Sequence, residues 1–188
     1  MITIKLGDIF ESEMKTLVNT VNCVGVMGKG IAKIYKDRYP NMFKEYKDMC
    51  SKKIIKPGCL YPYYEDESVI VLNFPTKQHW RSPSKLEYIK KGLDWFVQNY
   101  EKLKITSIAF PLLGCGNGGL DWDTVGPLMY RFLKDLPIDI EIYAPFGTEK
   151  SKLQVDFLLN NENKKNKTGV IYEKINQNWL LILQLIKN

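Results

Sequence analysis

Histidine is almost absent from this chain of 188 residues: there is one, His79. The four cysteines, Cys23, Cys50, Cys59 and Cys115, never form a CxxC pair. A zinc centre of the Cys/His type is therefore not expected, and no resident metal or cofactor is implied. Free thiols in a reducing cytoplasm are the simplest reading. Long apolar runs are missing too. A membrane helix needs about 18 such residues, whereas the stretch from Trp179 to Ile186 is short and interrupted by Gln184. Lys5, Asp8 and Glu11 near the start leave no room for the apolar run of a signal peptide.

The composition is that of a folded domain. Hydrophobic residues make up 45% and charged residues 26% of the chain, enough for one core and too apolar for disorder. The net charge is +6. Residues 1–148 hold 20 basic and 17 acidic side chains, and 149–188 hold 7 and 4, so the shorter piece supplies half the excess. Such a charge permits a polyanionic partner without demanding one.

The pattern along the chain alternates strands and helices. Ile2, Ile4 and Leu6 alternate with polar residues, which predicts a strand. Buried strands are expected at Thr16 to Val21, Ile105 to Pro111 and Ile138 to Tyr143, and a strand pair at Cys59 to Tyr63 and Ser68 to Phe74. Helices are expected from Ile31 to Tyr39, from an Asn41 cap to Met49, after a Ser84/Glu87 capping box, and from about Trp122 to Lys134. This order predicts a three-layer α/β/α domain over residues 1–148, with a central mixed sheet. Residues 149–188 read as a polar linker, with the run NNENKKNK, and a short helical extension that resembles the opening of a truncated C-terminal domain.

Three loops follow buried strands, where ligands of open α/β sheets sit. The first carries Asn22, then Gly25, Gly28 and Gly30 before a helix. Glycine lets amides approach an anion, and a helix start adds partial positive charge. Its spacing is not that of a Walker loop, and a tight turn alone would also require glycine. A second loop, Gly114 to Gly119, repeats the arrangement, and two such loops on one sheet edge can close on both phosphates of a diphosphate. The third, in FPTKQHWR, gathers Lys77, His79, Trp80 and Arg81. A lysine there suits attack on an aldehyde-like carbon or proton donation, and equally a solvated loop. A single histidine is more often structural than catalytic. Trp80 and Arg81 suit a stacked base and a phosphate, or simply cover the sheet end. Asp8, after the first strand, suits either an exocyclic amine or the cap of its own turn.

The segments GDIF, VNTVNCVGVMGKGIA, FPTKQHW and PLLGCGNGGLDW, in this order over roughly residues 1–146, resemble the macrodomain family, whose members bind ADP-ribose. The resemblance is to its DarG-type branch, antitoxin macrodomains paired with a toxin that ADP-ribosylates thymidine in single-stranded DNA. That branch is related to the terminal ADP-ribose protein glycohydrolase, which acts on acidic side chains. The resemblance implies an enzyme that removes ADP-ribose from single-stranded DNA, with a DarT-type toxin as partner. It implies Lys77 and Asn22 as the catalytic pair. Asp8 and Ile9 would hold the adenine. Gly28, Lys29, Gly30 and Ile31 would cradle the distal ribose and a phosphate. Gly114, Cys115, Gly116, Asn117, Gly118, Gly119 and Leu120 would cradle the diphosphate. His79, Trp80 and Arg81 are the candidates for DNA contact. Gly118 departs from the protein-directed relative, which carries an aspartate there. The competing readings are a hydrolase of ADP-ribosyl protein esters or of O-acetyl-ADP-ribose, and a module that binds ADP-ribose without catalysis.

Overall fold

The computed structural model describes residues 1–159. Six strands form one sheet: β1 (Ile2–Lys5), β2 (Thr16–Val21), β3 (Tyr61–Glu65), β4 (Ser68–Pro75), β5 (Ser107–Phe110) and β6 (Asp139–Tyr143). The spatial order is β1-β6-β5-β2-β4-β3. Every neighbouring pair is parallel except β3 with β4, so the sheet is mixed as the sequence predicts. Among the described residues four complete α-helices cover it: α1 (Gly30–Arg38), α2 (Pro40–Ser51), α3 (Leu86–Asn99) and α4 (Trp122–Leu133).

Alternation along the central strands divides the core. Val18, Leu72, Phe74, Ile108, Phe110, Ile140 and Ile142 face α3 and α4, and meet Ile89, Leu93, Phe96, Val125 and Met129. Leu17, Val21, Val71, Ala109 and Tyr143 face α1 and α2, and meet Tyr35, Met42 and Tyr46. A two-residue period on a sheet covered on both faces produces these two cores. The α1/α2 side also buries polar groups. Asn19 pairs with Asn73 across β2 and β4 at 3.0 Å. Glu141 is 6% exposed. Burial raises its carboxyl, but bonds from Lys5, Ser12 and Tyr143 outweigh burial and hold it below its ordinary value.

Two expected caps take another form. α2 starts on Pro40, whose fixed φ and missing N–H suit a first helical position, so Asn41 lies inside the helix. α3 starts at Leu86 without a side-chain cap. Ser84 turns away, and Glu87 pairs instead with Lys91 at 2.6 Å. The capping box therefore does not form, although Ser84 stands just before the helix. Within the stretch read as linker, Lys150–Leu153 form a single 3-10 turn. Lys152 Nζ binds both oxygens of Asp123, at 2.9 and 2.7 Å, and Leu158 is buried with the α3/α4 core. The NNENKKNK run and the expected C-terminal helix lie outside the described residues. Among the described residues no helix is long and apolar enough to cross a membrane.

Candidate active site

The chain leaves β2 for α1 through residues 22–29, leaves β4 for α3 through 76–85, and leaves β5 for α4 through 111–121. These strands are neighbours at the centre of the sheet. The path from β2 runs out to β3 and β4, then crosses back past β2 to β5. The three exits therefore surround a topological switch point, the place where a crevice opens in such sheets. A cavity of about 750 Å³ occupies it, lined by all three loops.

Backbone bonds fix the loops to each other. Thr76 N–H donates to Val21 O at 2.9 Å, and Cys23 N–H to Gln78 O at 3.2 Å. The Lys77 loop is thus pinned to the Asn22 loop. Ser84 N–H donates to Gly118 O at 2.8 Å, and Lys77 Nζ donates to Asn117 O at 2.5 Å. These two bonds tie the Lys77 loop to the second glycine loop. A Cβ at Gly30 would stand 3.1 Å from Asn117 Nδ2, so the two glycine loops approach each other across the cavity.

Asn22, Gly28, Lys29, Gly30, Ile31, Lys77, Trp80, Arg81, Gly114, Cys115, Gly116, Asn117 and Gly118 all line this one cavity. They come from three separate segments of the chain, the outermost being Asn22 and Gly118. α1 begins at Gly30 with no side-chain cap, so its first amides remain open on the cavity side. Gly114, Gly116 and Gly119 all have φ between +62° and +76°, the left-handed region that glycine enters without strain. Asn22 is largely committed to its own loop. Its Oδ1 accepts from Val24 N–H at 3.0 Å, Val26 N–H at 3.4 Å and the Tyr46 hydroxyl at 3.1 Å, while Nδ2 donates to Val26 O. One Nδ2 hydrogen remains for a ligand.

The other expected site residues lie outside this lining. Asp8 Oδ1 accepts from Phe10 N–H at 3.0 Å, the turn cap anticipated as its second reading. Ile9 is buried in the α1/α2 core. His79 accepts from Arg81 N–H at Nδ1 and stacks on Trp80, ring centroids 5.6 Å apart. The Arg81 guanidinium stands over the other ring of the cluster, 4.5 Å from the Trp80 centroid. Trp80 is 45% exposed and lines the cavity with Arg81. Leu120 lines an adjoining hollow of about 380 Å³, together with Trp122, Lys152 and the fully exposed Phe146. Gly119 lines neither hollow.

Burial pushes the Cys115 thiol up to about 11, with Asp121 adding to the effect, and the Cys23 thiol up to about 12. Both stay protonated at neutral pH and make poor nucleophiles. Lys77 lines the cavity with its amine held on the carbonyl of Asn117. No cluster of three metal-ligating side chains occurs among the described residues.

Ser84 was read from the sequence only as a helix cap, but it lines the cavity. It is 5% exposed, and its hydroxyl has no hydrogen-bond partner. A Cβ at Gly118 would stand 2.5 Å from Ser84 Oγ. That contact is why position 118 carries no side chain beside this serine. No local signal distinguishes such a serine from a cap, because both precede a helix.

Residues 18–129 match the family model of the Macro domain. The chain is 44% identical over 155 residues to the DNA ADP-ribosyl glycohydrolase of Mycobacterium tuberculosis, covering 80% of this chain and 44% of that protein. The solved macrodomain of Mycobacterium tuberculosis DarG superposes with a TM-score of 0.74 at 45% identity, over 77% of this chain and 98% of that one. Thermosipho africanus DarTG, solved in complex with ADP-ribose, gives a TM-score of 0.77 at 42% identity, over 84% of this chain and 46% of that one. The chain spans somewhat under half the length of that glycohydrolase and of DarTG.

Proposed function

The chain belongs to the macrodomain family, and from that premise we propose that it is a DNA ADP-ribosyl glycohydrolase. It removes ADP-ribose from thymidine in single-stranded DNA and so acts as the antitoxin to a DarT-type ADP-ribosyltransferase. The observation that carries this reading is Lys77 Nζ, anchored on the carbonyl of Asn117 within a cavity that the two glycine loops also line. The backbone amides of those loops and the open start of α1 suit the diphosphate. Binding of this kind acts alike on substrate and transition state, so it sets affinity more than rate.

Lys77 acts where the sugar joins the base. The N-glycosidic bond breaks, the base takes a proton, and water supplies hydroxide to the anomeric carbon. Lysine has two routes into this balance. It donates the proton to the leaving base, or its neutral amine attacks the anomeric carbon as the protonated base departs, the sugar ring opens to an imine, and water hydrolyses that imine. Reduction with borohydride traps only the second. Trp80 and Arg81, at the mouth, stack on a base and meet a phosphate of the DNA strand.

The test is release of ADP-ribose from a thymidine-modified single-stranded oligonucleotide, beside an ADP-ribosylated glutamate peptide. Release from DNA alone, lost in Lys77→Ala, supports the proposal. Release from the peptide alone would make the chain a protein-directed hydrolase. Binding of ADP-ribose with neither substrate cut would make it a reader.

A further inference from the structure

We propose that the Ser84 hydroxyl is a ligand-binding group, reserved for the ribose at the scissile end of the ligand; this rests on the ADP-ribose reading of the cavity. Ser84 is 95% buried in the cavity wall, yet its Oγ bonds to nothing. A buried hydroxyl without a partner destabilises a fold, and native chains leave few of them. Packing alone does not explain a serine here, because alanine would remove the unpaired polar atom and leave a gap of only one atom.

Its position identifies the part of the ligand it serves. A point one bond above Gly118 Cα lies 2.5 Å from Ser84 Oγ and 3.9 Å from Lys77 Cε. Hydroxyl and lysine therefore converge on the same end of the cavity. The main-chain amides of the glycine loops face the diphosphate. A sugar offers hydroxyls that both donate and accept, which matches a serine and not an amide. Ser84 Oγ is enclosed here, beside Gly118. This loop is built on glycines, and the hydroxyl holds no bond that must break, so a small adjustment as ligand enters exposes it. Gly118 is the enabling residue: any side chain there would occupy the hydroxyl's space.

The experiment compares wild type with Ser84→Ala by thermal unfolding, by calorimetric titration with ADP-ribose and with ADP, and by turnover of the modified oligonucleotide. Removing an unpaired hydroxyl leaves the empty protein as stable or raises its melting point by a few degrees. Affinity for ADP-ribose falls roughly five- to tenfold, the size of one hydrogen bond. Affinity for ADP, which lacks the distal ribose, stays unchanged. KM rises by the same factor while kcat holds, because the contact is made in ground and transition states alike. Gly118→Ala imitates this loss, and the double variant loses less than the two single effects multiplied.

Equal losses for ADP and ADP-ribose would move the contact to the diphosphate and overturn the assignment. Unchanged affinity and KM would make Ser84 a structural residue. A drop in stability that parallels any loss of affinity would do the same. Failure of wild type itself to bind ADP-ribose would instead sink the functional reading on which the proposal stands.

Discussion

The loop after β4 and the loop after β5 line the same cavity by opposite means. The first, residues 76–85, presents side chains: Lys77, Trp80, Arg81 and Ser84. The second, 111–121, presents main chain, with four glycines, three of them at positive φ, and a cysteine whose thiol is held protonated. Side chains can meet a charge that develops during a reaction. Backbone amides hold an anion that is charged throughout. On the proposed function, the first loop would supply the reacting group, Lys77, along with side-chain contacts, and the second only grip; the bonds from Lys77 to Asn117 and from Ser84 to Gly118 keep the two loops in register.

The strongest attempt to break this division is Lys77→Ala. Turnover of the modified oligonucleotide should fall by about 10²–10⁴, the usual range for a lost proton-transfer group, while ADP-ribose affinity changes only a few-fold. Parallel losses in single-turnover kinetics and calorimetry would make Lys77 a binding group.

Gly114→Ala challenges the second loop. Its φ is +70°, and a Cβ would meet Leu120 Cδ1 at 2.7 Å and Ser84 Cβ at 3.0 Å. Urea unfolding should show a loss of about 2–3 kcal/mol, with ADP-ribose affinity down at least tenfold and kcat at saturation less affected. A fully stable variant with normal affinity would mean that the loop's shape does not matter.

Trp80→Ala sharpens the comparison within the first loop. Stacking on one base contributes about 1–3 kcal/mol, so KM for the oligonucleotide should rise about tenfold with free ADP-ribose binding unchanged. An equal loss for the free nucleotide would place Trp80 over the ligand rather than the DNA. The smallest effect belongs to Cys115→Ser. With its thiol pushed up to about 11, the cysteine is no nucleophile, and turnover should stay within about threefold of wild type. A collapse would show that the second loop carries chemistry after all.

Much of this was legible in the chain. Strand β2 falls on Thr16–Val21 as its apolar, β-branched run predicts, because a strand buried on both faces leaves a compositional mark. The three strand-exit loops were legible for a related reason: glycine clusters and the run Lys-Gln-His-Trp-Arg are unusual between a strand and a helix. Ser84 was not legible, because its surroundings depend on Gly118, in the exit loop of β5 on the far side of β2. Asn22 was only half legible, since Tyr46 and the turn to Val26 take up most of its hydrogen bonds.

What the sequence determined by itself is local: which segments are strands, where glycine must turn the chain, and which loops carry unusual side chains. Those depend on steric limits and periodicity within a few residues. The tertiary structure alone decided that the three loops share one cavity, that Asp8 and His79 stand outside it, and that Ser84 keeps an unpaired hydroxyl inside it. The reason is the strand order. A crossing past β2 brings β4 and β5 to its two sides, and only that arrangement makes neighbours of residues so far apart in the chain.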